Sequence, residues 1–461
     1  MRLARHPKSG IDIVPRWTSR RCRWRTRGEA GILLTLAGFG LFTVAPARAV
    51  EIPQYAPAQH LGVGACASPQ CHGKIAPGAA RSPLLNEYVT WSRRDRHARA
   101  FATLRSERSR RIAANLGLQE AHTASLCLDC HADNVPPPQQ GRSFQIADGV
   151  GCESCHGGAE QWIESHANGA SHGDNVSRGL YRSDEPEARA QLCLSCHLGS
   201  DRKPLTHRLL AAGHPRTAFE LDTWTQLQPA HFVVDAHYRE RKSAPAPAAV
   251  WAMGQAVALH AYVAALADPK RVGEGTWPEF ALYDCYGCHH AFGAEPPSAA
   301  RVFGLRPGLP RLEEFRFLTV KAILSAIEPA RAAHLEASLR ELNSAGAQGS
   351  GSGIAGGIAA DVTDTYDSIR NWDPTPAQLD IVLAALTAAG RAGDYHTYAA
   401  AEQLTMAVQA ILATLNDGKT RNPVRSRLQV ALDAMFAATR DEHRFDPVAF
   451  RKAVERLRAR Y

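Results

Sequence analysis

The sequence predicts a mainly α-helical chain in two parts, a cysteine-rich half with little regular sheet and a C-terminal helical bundle. Three observations carry this. No stretch alternates polar and apolar residues for long enough to argue for a sheet. From Glu51 to about Ser298 the chain is rich in His, Cys, Gly and Pro and poor in long apolar runs. After Pro297 the cysteines end, and apolar residues such as Phe317, Val320, Leu324 and Ile327 recur at helical spacing.

The N-terminus reads as a secretory signal peptide over residues 1–49. A basic start precedes the apolar run Gly31–Ala45, and Ala47-Arg48-Ala49 follows as an A-x-A cleavage site. That run is short against the ~20 residues a membrane span needs, and no other segment reads as apolar enough to span. Residues 1–49 hold ten Lys/Arg against two acids, which is the whole formal excess of +8. The mature chain is therefore near neutral, and a basic surface for nucleic acid is excluded.

The elements follow in order. Residues 50–300 form the first region, with short helices at Leu84–Leu104, Pro186–Leu192 and Ala248–Leu266. Pro136-Pro137-Pro138 and Pro245-Ala246-Pro247 punctuate its loops. Residues 301–461 form the second. Glu313–Leu342 reads as helix, with Pro329 expected to kink or split it. Ser344–Gly357 reads as a Gly/Ser/Ala linker. Helices are expected at Gln378–Ala389, Tyr395–Leu415, Val424–Thr439 and Pro447–Arg460, separated by Asp373-Pro374, Asn416-Asp417-Gly418 and Asn422-Pro423.

The chemistry lies in the cysteines. There are eleven, and Cys22 falls in the signal peptide. The other ten pair off, each pair followed by a histidine: Cys66/Cys71-His72, Cys127/Cys130-His131, Cys152/Cys155-His156, Cys193/Cys196-His197 and Cys285/Cys288-His289. Two thiols at Cys-x-x-Cys spacing add across the vinyl groups of haem, and the next residue sets an imidazole under the iron. Four such runs in an exported chain leave little room for a zinc half-site, whose partners recur at regular separation. A disulfide framework would not place a histidine after every second cysteine. The first unit has four residues between its cysteines, and alone it could be a disulfide loop. With every other cysteine assigned, it reads as a fifth attachment site for haem c.

Each iron then has a sixth position to fill. Eleven further histidines lie in this region: His60, His97, His122, His166, His172, His207, His214, His231, His237, His260 and His290. Five would saturate the set, which favours electron transfer; an open iron favours small-molecule chemistry. His334, His396 and His443, on helices without cysteine neighbours, read as ordinary packed or surface residues.

These motifs resemble the cytochrome c-554 family, tetrahaem cytochromes that accept electrons from hydroxylamine oxidoreductase in nitrifying bacteria. The resemblance covers roughly Ala65–Leu198, through Trp91-Ser92, His97 to Ala100 and the run from Gly149 to Gly158. Larger multihaem relatives continue it through Ala211–Leu221, Gln228 to His231 and Tyr283–His290. The departures are the wider first motif, the fifth haem and the C-terminal helices. The resemblance implies that His97 caps the haem of His156, that His166 caps the haem of His72, and that the haem of His131 is five-coordinate unless His122 closes it. For the haems of His197 and His289 the candidates are His207, His214, His231 and His260.

The sequence thus reads as a periplasmic pentahaem cytochrome c that relays electrons between redox proteins, with no membrane span left after signal cleavage. Two alternatives stay open. One is an oxidoreductase that takes a small nitrogen or sulfur compound at one open haem; the other is a docking subunit of a redox complex. Intact mass of the exported protein should fit a chain starting at Val50 with five covalent haems. A mass of four haems plus a Cys66–Cys71 disulfide would remove the first motif.

Overall fold

The computed structural model describes residues 51–76, 83–268, 279–289, 311–346, 351–416 and 423–457. The signal peptide, His290 and the end of the last expected helix lie outside them. The fold is mainly helical. Among the described residues the only extended pairings are two isolated bridges, His60 with Gln140 and Tyr283 with Leu312.

In the cysteine-rich half the helices are short. The expected helix Leu84–Leu104 is broken into Glu87–Arg94, a 3-10 turn His97–Arg99 and the single turn Ala100–Thr103. Asp95 causes the break. Its carboxylate accepts from the His97 backbone N–H at 3.0 Å, offering the chain a turn in place of a helical carbonyl. Glu107–Leu116 starts on Ser106, which accepts from Ser109 N–H, and stops at Gly117 with φ +75°. The fourth motif sits at the end of Pro186–His197, with proline in its first turn.

The longest helix, Pro247–Ala267, is the centre of packing. Contrary to the expectation for the mature chain, it is long and apolar enough to cross a membrane, and 78% of its apolar window is buried. Trp251 and Leu259 are fully enclosed. Alanines along it let neighbours approach closely. Those neighbours are Pro186–His197, Leu221–Leu227, Glu314–Ile327, Gly351–Thr363, Tyr366–Arg370 and Tyr398–Leu415. One continuous core runs from Ala190 and Leu194 beside the fourth motif to Leu457. The C-terminal helices therefore share their core with the helix that carries Cys193 and Cys196. Around the second motif the apolar clusters are small, with Phe101, Leu104, Ala113, Ala121, Leu128 and Ala132 in one of them.

Pro329 splits its helix as expected, into Glu314–Ile327 and Pro329–Gly346. The expected linker is largely helical. Ser344 to Gly346 end one helix and Gly351–Thr363 forms another, with only 347–350 outside the described residues. Gly351, Ala355, Ile358 and Val362 make its buried stripe. The small residues on that stripe are Gly351 and Ala355, whereas Gly353, Gly356 and Gly357 lie on the exposed face. Burial of Ala355, Ile358 and Val362 holds the helix against the roughly 1 kcal/mol that each helical glycine costs. Later helices lie at Pro376–Ala392, Tyr398–Leu415, Pro423–Ala438 and Pro447–Glu455.

Gly254 shows how tight the centre is: a Cβ there would lie 2.6 Å from Leu221 Cβ. Gly254→Ala should destabilise by about 1–3 kcal/mol through overpacking. Gly353→Ala, exposed with nothing within 4 Å, should be neutral or gain up to about 1 kcal/mol. Denaturant midpoints of the two variants check the contrast.

Candidate haem sites

The motifs reach one backbone arrangement by different routes. The second, third and fourth lie on helices Ser125–His131, Cys152–His156 and Pro186–His197. There, positions i, i+3 and i+4 put both thiols and the imidazole on one face. In the fifth, the His289 N–H donates to the Cys285 carbonyl at 2.7 Å, closing the same turn. In the first, the His72 N–H donates to the Cys66 carbonyl at 3.2 Å. The wider spacing is looped out while the closure between first cysteine and histidine is kept. Gly73 permits it, since a Cβ there would lie 1.8 Å from the Ala67 carbonyl oxygen.

The cysteine pairs differ in burial. Cys285 and Cys288 are both exposed, as is Cys71 of the first motif, whereas the remaining seven motif cysteines are half-buried. The backbone explains the difference at Cys288. It follows the single 3-10 turn Cys285–Gly287, with its N–H donating to the Cys285 carbonyl at 3.2 Å. A turn that short has no apolar face to set against the core, unlike the twelve-residue helix under Cys193 and Cys196. Cys288 therefore stands at the surface, and a haem attached there would have an edge open to solvent.

Each motif histidine faces one other imidazole. Ring centres are 6.1 Å apart for His72 and His166, 6.4 Å for His131 and His214, and 6.5 Å for His156 and His231. They are 6.3 Å apart for His197 and His97, and 6.3 Å for His289 and His207. Metal–imidazole bonds of about 2 Å, plus roughly another ångström from each nitrogen to its ring centre, separate two imidazoles on one metal by about 6–6.5 Å. Among the described residues no three His, Cys, Asp or Glu side chains gather as a metal site by themselves. Paired imidazoles beside cysteine pairs fit a planar macrocycle that brings its own equatorial nitrogens, so the residues present fit haem c.

Several of these rings are held by the other nitrogen. His72 Nδ1 lies 2.9 Å from Glu87 Oε2, and His97 Nδ1 lies 2.9 Å from Asp95 Oδ1. His131 Nδ1 faces the Ala100 carbonyl at 3.2 Å, and His214 Nδ1 the Pro215 carbonyl at 2.8 Å. In each case Nε2 is left for a metal, the usual second contact of a ligating histidine. Hydrogen bonds to Glu87 and Asp95 raise the affinity of His72 and His97 for a proton. Asp95, against its own burial, is held well below the carboxylate range by His97 and Gln228. Burial pushes His156 down to about 3 and His197 down to about 4, so both are neutral at pH 7, the form that ligates.

The pairing differs from the inherited one. His166 faces His72, as the resemblance implies. His97 faces His197 and not His156, which takes His231. His131 faces His214. His122 packs on Phe101 and His260 on Tyr366, and neither faces a motif histidine. His60 is fully buried on Asp133 at 2.8 Å, and His172 Nε2 is engaged by Asp184 at 3.1 Å. His396, expected to be ordinary, packs on the fifth motif, 3.6 Å from Asp284 and edge-on to Tyr286. Burial pushes it down to about 4. No local sequence signal marks it, because the contact joins segments far apart.

The third motif carries its own fastener. Glu153, 2% exposed, accepts from the backbone N–H groups of Leu61 and Gly62 at 2.7 Å each and of Ala159 at 2.8 Å. Glycines around it admit backbone from elsewhere: a Cβ at Gly149 would lie 2.6 Å from the His97 carbonyl oxygen. The Val150 N–H donates to that same carbonyl at 3.1 Å. The His97 segment thus touches the third motif by backbone while its ring faces His197 of the fourth. Thiols also meet between motifs, Cys66 with Cys152 and Cys130 with Cys196. Cys130 and Lys203, whose Nζ is 3.3 Å away, both favour the thiolate at Cys196.

Comparison with known proteins agrees over part of this ground. Residues 65–157 match the family of cytochrome c554 and c-prime. The match spans the first three motifs and supports a c-type cytochrome with covalent haem and an electron-transfer role. No curated protein and no solved structure matches the chain.

Glu153→Ala would leave the buried N–H groups of Gly62 and Ala159 without an acceptor, at about 1–3 kcal/mol each, and the half-buried one of Leu61 at less. Expected is a drop of several kcal/mol in the stability read from denaturant unfolding, with haem content by pyridine haemochrome unchanged.

Proposed function

We propose that this is an exported pentahaem c-type cytochrome that relays electrons between redox proteins in the periplasm. The observation that carries the reading is that each of the five motif histidines faces one further histidine, with no imidazole used twice. The holders would be the ten mature cysteines, the motif histidines, and His166, His214, His231, His97 and His207 opposite them. When bound, haem c supplies a one-electron iron couple, and two imidazoles on each iron leave no position open for substrate.

The chain's part is to place and tune. Nδ1 contacts fix the tautomer at His72, His97, His131 and His214. Phe219 and Trp224 cover the His197 ring at 5.0 and 6.1 Å and keep water from it. Contacts between thiols of the first and third motifs, and of the second and fourth, bring those sites close to one another. His207, on the segment after the fourth motif, reaches the fifth. Signal-peptide composition supports export.

A second reading, reduction or oxidation of a small nitrogen or sulfur compound at an opened haem, has one observation in its favour. A cavity of about 320 Å³ lies beside His231, lined by Arg189, Asp222, Gln228 and Tyr238 among others. Its use would require His231 to leave its place opposite His156.

His97→Ala should keep five covalent haems, turn one high-spin and add one equivalent of carbon monoxide binding. In a Cys193→Ala/Cys196→Ala background the change should add no high-spin signal, because the haem that His97 caps would be gone. A high-spin signal in that background would return His97 to the third haem.

A further inference from the structure

Asp95 does more than turn the chain. It is 4% exposed, and Oδ1 accepts from both the Nδ1 and the backbone N–H of His97, at 2.9 and 3.0 Å. Oδ2 accepts from Gln228 Nε2 at 2.9 Å. His97 is its only ion-pair partner among the described residues. A buried carboxylate in this position delivers its charge to one imidazole.

The five sites are not alike in this respect. Glu87 backs His72 in the same way, with its side chain 16% exposed against 5% for Asp95, so water screens it more. His131 and His214 rest on neutral carbonyl groups. Among the described residues neither His156 nor His231 has a carboxylate within ion-pair distance.

We propose that Asp95 is a positioning and tuning residue that lowers the reduction potential of the haem held by His197 and His97, setting it below that of the haem held by His156 and His231. The proposal rests on the paired-histidine reading above. A carboxylate behind a ligating histidine pulls the Nδ1 proton and makes the ring a stronger donor. Stronger donation and a nearby negative charge both favour the more positive, oxidised metal. The His156/His231 site lacks that charge. Backbone contact between the His97 segment and Val150 makes the two sites neighbours, so the difference acts between adjacent positions in the chain of sites.

Asp95→Asn tests this with little change of shape. The asparagine carbonyl can still accept from His97, and Gln228 can turn its amide to accept from the new NH₂ group. Expected are five haems, an unchanged low-spin spectrum and one potential raised. The oxidised-to-reduced ratio at fixed poise should change at least tenfold, about 59 mV for one electron. In the Cys193→Ala/Cys196→Ala background the remaining potentials should not move. Glu87→Gln should give a smaller rise, at a different haem.

An unchanged set of potentials in low-spin Asp95→Asn protein overturns the tuning role and leaves the ligand pairing standing. A shift that persists without the fourth haem overturns the assignment of site. Failure of His97→Ala to create a high-spin haem overturns the pairing itself, which separates the two claims. Should Asp95→Asn not fold, Gln228→Leu carries the test. Losing that donor concentrates the charge of Asp95 on His97, and the same potential should fall; no movement overturns the proposal.

Discussion

Ten imidazoles meet in five pairs with ring centres about 6 Å apart, and much of the cysteine-rich half is held together where they meet. Each pair joins distant stretches of chain: residue 72 with 166, 97 with 197, 131 with 214, 156 with 231, and 207 with 289. Closing such loops costs entropy, which a short helix cannot recover alone. The cysteine-rich half has modest apolar clusters, so its order depends on ties of another kind. Glu153 gathers three backbone donors, glycines admit foreign backbone, and His60 is locked onto Asp133. Porphyrin faces would supply the apolar surface that the side chains lack.

The C-terminal helices answer a different need. The fourth-motif helix is packed into the same core as Pro247–Ala267 and the helices that follow. That core gives one motif a rigid base, and the others are referenced to it through thiol, imidazole and backbone contacts. Removing the C-terminal region would therefore expose the base of the fourth motif, and truncation is a poor way to ask whether that region recruits partners. His396 extends the dependence to the fifth motif, whose thiols, Cys285 and Cys288, are exposed although Leu282 and Tyr283 before them pack on the same core.

What could be read in the sequence follows from range. Attachment motifs are local, and all five cysteine pairs were legible from spacing. Spacing says nothing of burial, so the exposure of Cys288 was not. Long helices such as the Ala-rich Pro247–Ala267, apolar all round, and Tyr398–Leu415 were legible within a few residues. The helix around His97 was overdrawn because a single carboxylate, Asp95, turns the chain. Gly351–Thr363 is not legible by composition, because its glycines mask the buried stripe of Ala355, Ile358 and Val362 that makes it a helix. Histidine pairing was legible in number and only partly in detail. His122 is near the second motif in sequence yet turned onto Phe101, while His214 arrives from much further along. The inherited partner for His97 was plausible for a physical reason: its backbone does lie against the third motif, and only the direction of the ring assigns it to the fourth.

The contacts between thiols of different motifs bear on the order of assembly. Cys66 lies against Cys152, and Cys130 against Cys196, whose thiol is drawn toward thiolate. A disulfide across motifs would consume one cysteine from two sites at once. A chain that compacted first would trap itself with two pairs of sites spoiled. On the haem reading, sulfurs capped before compaction close that route, and the fold would be one to enter late, after the covalent chemistry is finished.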